Sequence, residues 1–441
     1  MAAPEMFHSG RVVLHAGNCL DVVRGMADAS IDAVVTDPPY ALVSIGKRFG
    51  ADGAKASTKG DTYARAAAGF MGKRWDTGEV AFAVDFWAEI YRVLKPGGHV
   101  AAFGGTRTIH RLACAIEDAG FEIRDQLQWL YGSGFPKSHD VSKAIDRHNG
   151  DVRDKVAVTA GAPSYQRAIG NSRPWMDNPE HMIDGPSAAS AASAASAAWQ
   201  GWGTALKPAC EPIILGRKAL AGTVAANVLA HGTGALNIEA CRVGDEGGTR
   251  SVVGVPTPAL NSYGDGVGVG VGGYVEAINA GRHPANVLHD GALNEEWGRY
   301  FYSAKADAQD RIGSKHPTVK PVDLMRWLVR LICPPAKAGP DGVLIRPTIL
   351  DPFAGTGTTG AAAWHEGYTC HLIEREEEYR ADIARRMDLL TAGPVERAVE
   401  TARARGVAVD AGPLFGGTGA IGGQADLRRL RRSIGPVGLR Q

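Results

Sequence analysis

The stretch "TILDPFAGTGTTGAAAWHEGYTCHLIE", residues 348–374, carries a strong signal for the fold of the chain. Its first apolar run predicts a buried strand, residues 357–368 begin a helix, and residues 369–374 predict the next strand. A G-x-G-x-x-G turn joins the first strand to the helix, and this spacing lets a ligand approach bare backbone at the N-terminus of the helix. The turn consists of Gly355, Gly357 and Gly360. We therefore expect a parallel α/β unit with a ligand site at the turn.

The same alternation of strand and helix occurs in two blocks of the chain. Strands are predicted in "RVVLHAG" (11–17), "SIDAVVTD" (30–37), "HVAAFGG" (99–105) and within 343–351. Helices are predicted within 80–98, 106–119 and 320–335. The two blocks together predict an α/β fold, a mixed and mostly parallel sheet with helices on both faces.

A long interruption with unusual composition separates the two blocks. "GPSAASAASAASAAWQGWG" (185–203) repeats Ser-Ala-Ala, and "YGDGVGVGVGGY" (263–274) alternates glycine with other residues. Both stretches are predicted to be loops of an inserted region rather than parts of a sheet. The glycine-rich, basic residues 392–441 are predicted to form a flexible tail.

The composition is that of an ordinary globular protein, with 44% hydrophobic and 22% charged residues. No apolar run approaches the ~18 residues of a membrane span, and the N-terminus lacks the layout of a signal peptide. The cysteines are scattered without a C-x-x-C pair, which argues against a metal site or a disulfide framework and suits the cytoplasm. Because the net charge is only +1, a polyanionic partner has to be bound by local patches.

The glycine turn fits either a nicotinamide or flavin dinucleotide or S-adenosylmethionine (AdoMet), and no Lys-Ser/Thr pair follows it as in a Walker motif. Glu374, at the end of the next strand, is placed to accept hydrogen bonds from ribose hydroxyls. Asp351 and Phe353 precede the glycines, and a carboxylate there suits the cationic groups of AdoMet better than a pyrophosphate. The methionine carboxylate of AdoMet is expected to meet the hydroxyls of Thr356, Thr358 and Thr359.

A second motif, "DPPY" (37–40), follows the predicted strand at 30–37. Asp37 and the carbonyl of Pro38 provide two acceptors for the hydrogens of an exocyclic amine, which would aim the nitrogen lone pair at a methyl donor. Pro38 and Pro39 restrict φ and so preorganise that carbonyl. Tyr40 offers a flat face on which an extruded base can stack. The pattern therefore indicates methylation of a nucleobase amine.

Together these motifs resemble those of the amino-methylating DNA methyltransferases. "DPPY" is similar to their catalytic motif and "DPFAGTGTTG" (351–360) to their AdoMet motif, and this order resembles the permuted beta class. "ALKPACEPIILGRK" (205–218) resembles the reversed strand of phage-type members. The resemblance implies a circularly permuted, Rossmann-like AdoMet-dependent methyltransferase fold in which the two distant motifs converge on a flipped-out base.

The resemblance also implies roles for residues outside the two motifs. Asn18 and Cys19 lie in a segment similar to the one that reaches the adenine of the cofactor. Trp129 or Tyr131, in 127–138, corresponds to the aromatic residue that helps to hold the target base. Residues 315–331 are similar to the segment that closes over the methionine end of the cofactor. The cofactor-binding residues implied there are His316, Thr318, Lys320 and Pro321.

The implied domains are a catalytic half (6–137), an insertion with the target-recognition region (138–310) and an AdoMet-binding half (311–391). Lys137 and Lys143, among the basic residues at the start of the insertion, are expected to contact phosphates of double-stranded DNA. The sequence leaves open whether the protein is a monomer or a homodimer, and whether it is part of a restriction–modification pair.

Several functions remain open at this stage. Asp rather than Ser at the first motif position favours the N6 amine of adenine, with the N4 amine of cytosine as the alternative. A dinucleotide-dependent oxidoreductase leaves the Asp-Pro-Pro-Tyr motif unexplained. The permuted order and the long insertion count against an RNA or protein-glutamine methyltransferase, and the intact motif counts against a non-catalytic DNA-binding module.

Overall fold

The structure is a computed structural model of the 441-residue chain. It describes residues 3–40, 80–132, 138–151, 193–244, 249–259, 268–277, 281–290, 301–303, 305–314, 316, 318–339 and 341–393. At 249–259, 268–277, 301, 308 and 309, only the backbone is considered. Within these ranges, no helix has the length and apolar character needed to cross a bilayer.

The chain folds as two compact units, residues 1–132 with 210–441 and residues 133–209. A ten-stranded sheet forms the centre of the first unit. Its strands in chain order are β1 (Glu5–Phe7), β2 (Val12–Ala16), β3 (Ile31–Thr36), β4 (Leu94–Phe103), β5 (Glu122–Leu130), β6 (Cys210–Arg217), β9 (Val287–His289), β10 (Phe301–Tyr302), β13 (Thr348–Asp351) and β14 (Thr369–Glu374). Two separate hairpins pair β7 (Thr249–Ala259) with β8 (Gly268–Ala277) and β11 (Lys337–Ala338) with β12 (Leu344–Ile345).

The spatial order of the sheet is β1-β2-β14-β13-β3-β4-β6-β5-β9-β10. Neighbours from β2 to β4 are parallel, whereas β1 and β6 run antiparallel to the strands beside them. The expectation of a mixed, mostly parallel sheet is therefore confirmed. The reversed strand implied within 205–218 is β6, and it enters the sheet between β4 and β5.

Helices cover both faces of this sheet, as predicted. The described α-helices are α1 (Cys19–Arg24), α2 (Val84–Val93), α3 (Ile109–Asp118), α4 (Val141–Asn149), α5 (Ala194–Ala198), α6 (Val224–His231), α7 (Ala308–Arg311), α8 (Val322–Ile332), α9 (Thr358–His365) and α10 (Glu377–Leu390). One core packs α1, α2 and α3 against one face, and a second core packs α8, α9 and α10 against the other. The strands supply both cores by alternation, since Val34 belongs to the first and its neighbours Ala33 and Val35 to the second.

Polar clamps hold the pair of strands β3 and β13 at both ends. At the carboxyl end, buried Asp351 accepts hydrogen bonds from Thr36 Oγ1 (2.7 Å), Thr359 Oγ1 (2.5 Å) and the backbone N–H of Phe353 (3.1 Å). At the amino end, Asp32 accepts from Lys95 Nζ (2.6 Å) and from a backbone N–H of β13 (2.8 Å). These bonds fix the register of two strands that are more than 300 residues apart in the sequence.

The second unit contains two short helices among its described residues. Asp140 caps α4 by accepting from Lys143 N (3.0 Å), and Gly150 ends it in a left-handed conformation. Ser193 and Ser196 form a capping box that begins α5. The second unit comprises residues 133–209, whereas β6, β9 and β10 join the main sheet of the first unit. The bounds of the predicted insertion, 138–310, stay a prediction.

Two loop predictions were wrong in the part of the chain that is described. Residues 194–198, inside the Ser-Ala-Ala repeat, form α5, because alanine has high helix propensity once a serine cap starts the helix. Residues 268–277 form β8, because a backbone ladder with β7 needs no side chains and valine alternates with the glycines. Residues 185–192, 263–267 and the predicted tail beyond 393 lie outside the described residues.

The carboxyl-end clamp predicts the effect of Thr36→Val. Valine matches threonine in shape but removes one of the three donors to buried Asp351 and leaves Oδ1 with the N–H of Phe353 alone, so the free energy of unfolding should fall by about 1–3 kcal/mol. Urea denaturation followed by circular dichroism measures the change. The same substitution at exposed Thr106 should change it by less than about 0.5 kcal/mol, and equal effects at both positions would show that the clamp adds nothing.

Candidate active site at the carboxyl edge of the sheet

The candidate site lies where β3 and β13 end side by side. The two strands pair in parallel, with Ile349 opposite Ala33 and Leu350 opposite Val34. Because both strands end at the same edge of the sheet, the residues that follow them, Asp37 and Gly355, lie at that edge. The expected convergence of the two motifs is therefore present in the fold, and parallel α/β sheets build ligand sites at this edge.

The carboxylate of Asp37 has two different oxygens. Oδ2 accepts a hydrogen bond from Lys320 Nζ at 2.5 Å, whereas Oδ1 is buried and has no hydrogen-bond partner among the described residues. Burial raises the pKa of Asp37, the ammonium of Lys320 offsets this only in part, and the negative charge of Glu211 raises it further. Oδ1 of Asp37 is thus a buried hydrogen-bond acceptor that no described residue occupies.

The ammonium of Lys320 is the centre of a buried charge network. Besides Asp37, it contacts Glu211 Oε2 at 3.2 Å and Tyr40 Oη at 3.1 Å, and its side chain is 5% exposed. It also lies 4.7 Å from the ring centroid of Phe103. Burial alone lowers the pKa of Lys320, but Asp37 and Glu211 outweigh it and raise the pKa above the usual value. The lysine therefore carries its charge.

Tyr40 is fixed by contacts at both ends. Its carbonyl accepts from Thr108 Oγ1 at 2.7 Å, and its hydroxyl donates to Glu211 Oε2 at 3.1 Å. The ring lies so close to Gly105 that a Cβ built there would be 3.3 Å from Cδ2 of Tyr40. Burial, followed by the charges of Asp37 and Glu211, raises the pKa of Tyr40 well above its usual value, so the hydroxyl remains protonated.

The glycine turn forms a backbone cradle beside this network. Gly355 and Gly357 have φ values of +53° and +76°, a region that disfavours side chains. Glu374 Oε2 accepts from the N–H of Gly355 at 2.9 Å, and the ring of His316 lies against Gly355. Burial raises the pKa of Glu374 to about 7 and lowers that of His316 to about 4. The imidazole is therefore neutral near pH 7, and Glu374 is partly ionised.

The threonines of the turn differ in their contacts. Thr359 donates to Asp351, and Thr356 Oγ1 accepts from the buried guanidinium of Arg386 at 3.2 Å. Arg386 also donates to the carbonyl of Thr356 at 2.7 Å, which holds the turn against α10. Thr358 is buried in the first turn of α9. The carboxylate of Asp351 already accepts three hydrogen bonds within the protein, so its predicted contact with a cofactor ammonium stays a prediction.

The residues implied at the rim of the cofactor site also occupy defined positions. Asn18 follows β2 at the same edge and caps α1 by accepting from Leu20 N at 2.9 Å, while Cys19 is buried in the first turn. Pro321 caps α8 and Thr318 is exposed. Their roles toward a cofactor stay predictions. The ammonium of Lys320 contacts Asp37, a contact that the sequence did not predict.

Both aromatic residues proposed to hold the base are in the main unit. Trp129 is buried, donates through Nε1 to Ser303 O at 3.0 Å and packs edge-on against Tyr131. The ammonium of Lys305 lies 3.4 Å from the ring centroid of Tyr131. Tyr131 thus lies beside the charged network with Lys305 over its ring, and Trp129 packs against it from the core.

Sequence reasoning missed two residues of this network, Glu211 and Lys305. Glu211 lies on β6 opposite Trp129, and an acid at the start of an apolar strand was the available signal. Of the predicted phosphate contacts, Lys143 lies on α4 of the second unit, and Lys137 lies outside the described residues. In the described part of the chain, no group of three or more His, Cys, Asp or Glu side chains is arranged to hold a metal ion.

Comparison with known families identifies the class. The DNA methylase family model matches residues 31–149 and 277–385, more than half of the chain, and the chain belongs to this family. It is thus related to the amino-DNA methyltransferases, as the two motifs indicated.

Individual relatives are more distant. The chain is 24% identical over 284 residues to the Type II methyltransferase M.HindIII of Haemophilus influenzae, covering 64% of this chain and 60% of that one. It is 26% identical over 167 residues to the Type II methyltransferase M.HpaI of Haemophilus parainfluenzae, covering 36% and 46%. The chain therefore spans about half of the length of these relatives.

Two solved structures show low overall similarity. The PvuII DNA methyltransferase (cytosine-N4-specific) has a TM-score of 0.41 at 13% identity, with 90% of this chain and 93% of that chain covered. TTHA0409 from Thermus thermophilus, a putative DNA modification methylase complexed with S-adenosyl-L-methionine, has a TM-score of 0.35 at 15% identity, with 86% and 96% covered. Similarity at this level does not carry residue roles from one protein to another.

The charge network predicts how Lys320→Met affects stability. In the native protein, burial raises the pKa of Glu211, but Lys320 and Lys305 outweigh it, so the folded pKa lies below the unfolded value of 4.5. Glu211 thus contributes stability above that value and loses it as the pH falls. Without Lys320, two buried carboxylates remain together, and the free energy of unfolding should fall by about 3 kcal/mol near neutral pH.

The loss caused by Lys320→Met should shrink toward about pH 4, where Glu211 is protonated in the unfolded chain. Urea denaturation at several pH values measures this difference. The same substitution at exposed Lys337 serves as the control and should change little at any pH. A loss that is independent of pH would contradict the ionic origin of the effect.

Proposed function

We propose that this protein is a site-specific DNA methyltransferase that transfers a methyl group from AdoMet to the exocyclic N6 amine of a flipped-out adenine in double-stranded DNA. The observation that carries the proposal is the open Oδ1 of Asp37, buried at the same sheet edge as the glycine turn. A buried acceptor without a donor is costly unless a substrate completes it. Family membership supports a substrate in DNA.

The residues at the glycine turn fit AdoMet. The positive φ of Gly355 and Gly357 leaves the backbone bare at the N-terminus of α9, which favours the carboxylate of the methionine moiety. Each carboxylate oxygen of Glu374 accepts one backbone N–H and keeps a lone pair for the ribose hydroxyls. His316, neutral and packed on Gly355, closes one side of the cradle. When bound, AdoMet supplies an electrophilic methyl group.

The Asp-Pro-Pro-Tyr segment prepares the amine. Oδ1 of Asp37 accepts one amine hydrogen, and the carbonyl of Pro38 accepts the other, so that the nitrogen lone pair is directed away from the base plane. The hydrogen bonds of Tyr40 to Thr108 and Glu211 keep its ring in place as a stacking face for the base. After transfer, Asp37 can accept the proton that the amine loses.

We assign the enzyme to the permuted beta class, because Asp37 precedes the glycine turn in the chain, and to its phage-type members, because β6 is the expected reversed strand. Asp at the first motif position favours adenine over cytosine. Tyr131, with Trp129 behind it, is the proposed contact on the other side of the base, and Lys137 and Lys143 are proposed to contact phosphates. A cytoplasmic enzyme acting as a monomer or homodimer, in a restriction–modification setting, is consistent with this function.

Asp37→Ala should abolish methyl transfer to DNA, with a loss of at least about a thousandfold in kcat, because the amine loses its main acceptor. AdoMet affinity, measured by calorimetry, should stay within about threefold, since Asp37 does not contribute to the cradle. Asp85→Ala, at an exposed position of α2, is the control and should keep full activity. Loss of AdoMet binding in Asp37→Ala would contradict this role.

Methylation-sensitive sequencing of DNA from cells that express the protein tests the function directly. N6-methyladenine at one recognition sequence is the expected result, and it should be absent from cells with Asp37→Ala. N4-methylcytosine at one sequence would support the assignment as a DNA methyltransferase and show that the choice of adenine is wrong. Unmodified DNA together with NADH binding in ultraviolet spectra would reject the whole proposal.

The pKa of Glu374 predicts a pH dependence for cofactor affinity. Ribose hydroxyls donate to the ionised carboxylate, so binding lowers a pKa that lies at about 7 in the free protein. AdoMet affinity should therefore rise by roughly tenfold as the pH increases from about 6 to 8, and then level off. Calorimetry should show no such rise for Glu374→Gln, whereas Glu377→Gln, at an exposed neighbouring position, should behave as the native protein.

A further inference from the structure

Glu211 is the one carboxylate of the network that the proposed chemistry leaves without a task. It lies on β6, and its side chain is 16% exposed. Oε2 contacts Lys320 Nζ at 3.2 Å and accepts from Tyr40 Oη at 3.1 Å, while Oε1 lies 4.0 Å from Lys305 Nζ. Strand β6, which is remote in sequence from both motifs, thus contacts the lysine that pairs with Asp37 and the hydroxyl of Tyr40.

The geometry shows what Glu211 does to Lys320. An ammonium has three donors, and here they are shared among Asp37 Oδ2, Glu211 Oε2 and the Tyr40 hydroxyl. A lysine paired with Asp37 alone would be free to bridge both oxygens of that carboxylate, because no other charge would restrain it. In the structure the ammonium lies on Oδ2 of Asp37 and beside Oε2 of Glu211, and Oδ1 of Asp37 has no hydrogen-bond partner among the described residues.

We propose that Glu211 is a positioning residue for methyl transfer: by holding Lys320 on Oδ2 of Asp37, it keeps Oδ1 available to the exocyclic amine of the substrate base. This inference rests on the proposed function. Glu211 touches neither the base nor the cofactor in this account, and it acts through Lys320 and through the hydroxyl of Tyr40.

Several charged and titratable groups lie around Asp37, Glu211 and Lys320, and they set the expected pH behaviour. They come from the Asp-Pro-Pro-Tyr segment, β6, β13, the residue after β5 and the segments before α7 and α8. The groups are Tyr40, Tyr131, Cys210, Asp351, Lys305, His316 and Lys320. Among them Glu211 adds a negative charge that raises the pKa of both Asp37 and Lys320. Removing that charge should lower both values.

Glu211→Gln tests the proposal because it keeps the volume and removes the charge. At about neutral pH, kcat should fall roughly tenfold to a hundredfold, since the acceptor is masked or misplaced. AdoMet affinity should stay within about twofold. The acidic limb of the pH profile of kcat/KM, which reports the free enzyme, should move to lower pH. Glu122→Gln, on the adjacent strand β5 where the acid pairs with Arg217, is the matched control and should change none of these quantities.

A second variant and a readout without catalysis complete the test. Glu211→Asp keeps the charge but shortens the reach, so it should keep the native pH profile while losing part of kcat. Isotope labelling of lysine, followed by NMR of the Lys320 side chain across a range of pH, reports its titration without requiring solvent access. The midpoint should move to lower pH in Glu211→Gln, and it should stay near the native value in Glu211→Asp and Glu122→Gln.

The outcomes separate this inference from the proposed function. If the native protein methylates DNA and Glu211→Gln keeps kcat within about twofold, the positioning role is wrong and the function stands. A fall in kcat without a shift of the pH profile or of the Lys320 midpoint shows a merely structural role and also overturns it. If the native protein methylates no DNA, the function fails and the positioning role fails with it, whatever the titration of Lys320 shows.

Discussion

The central interaction of the fold is the parallel pairing of β3 with β13. These strands lie more than 300 residues apart, and their register brings the Asp-Pro-Pro-Tyr segment and the glycine turn to one edge of the sheet. Asp351 secures the register, because its buried carboxylate takes donors from Thr36 on one strand and Thr359 on the following helix. The three-way contact joins the residue before the Asp-Pro-Pro-Tyr motif to two residues of the glycine motif, Asp351 and Thr359. Without the parallel pairing of β3 and β13, the two motifs would not lie at the same edge and could not form one site.

The second feature of the site is the amount of charge that it buries. Asp37, Glu211 and Lys320 have little exposure, and two carboxylates share one ammonium. Burying ions costs free energy that a well-packed apolar cluster would not, so stability alone does not account for this arrangement. The proposed role of Asp37 as an amine acceptor would account for it, since preorganised dipoles and charges act most strongly where water is excluded. The aromatic rings of Tyr40 and Phe103 beside the ammonium help to exclude that water.

Much of the fold could be predicted because its signals are local. Apolar runs at 11–17 and 30–37 predicted β2 and β3, and the glycine turn predicted the strand, loop and helix around Gly355. The wrong predictions involve composition: a Ser-Ala-Ala repeat contains a capped helix, and a Gly-Val repeat contains a strand. Propensity describes the average residue, whereas a cap or a partner strand decides a particular one.

The candidate site was predictable only in part, for a physical reason. The two sequence motifs pointed to Asp37 and Gly355. The residues that pair with a buried charge, however, are determined by tertiary packing. Glu211 comes from the reversed strand β6, and no local pattern indicates that it meets Lys320, more than 100 residues later. The expected role of Lys320 toward the cofactor stays a prediction, and its contact with Asp37 was not foreseen. Long-range electrostatic contacts of this kind have no spacing rule in sequence.

A crystal structure of the protein with AdoMet would show whether the two motifs form one pocket. In the expected arrangement, the methyl group points toward Oδ1 of Asp37, across a gap that admits a single base, while Lys320 stays on Oδ2. A cofactor whose methyl group points away from Asp37, or a Lys320 ammonium that fills the gap between them, would contradict it.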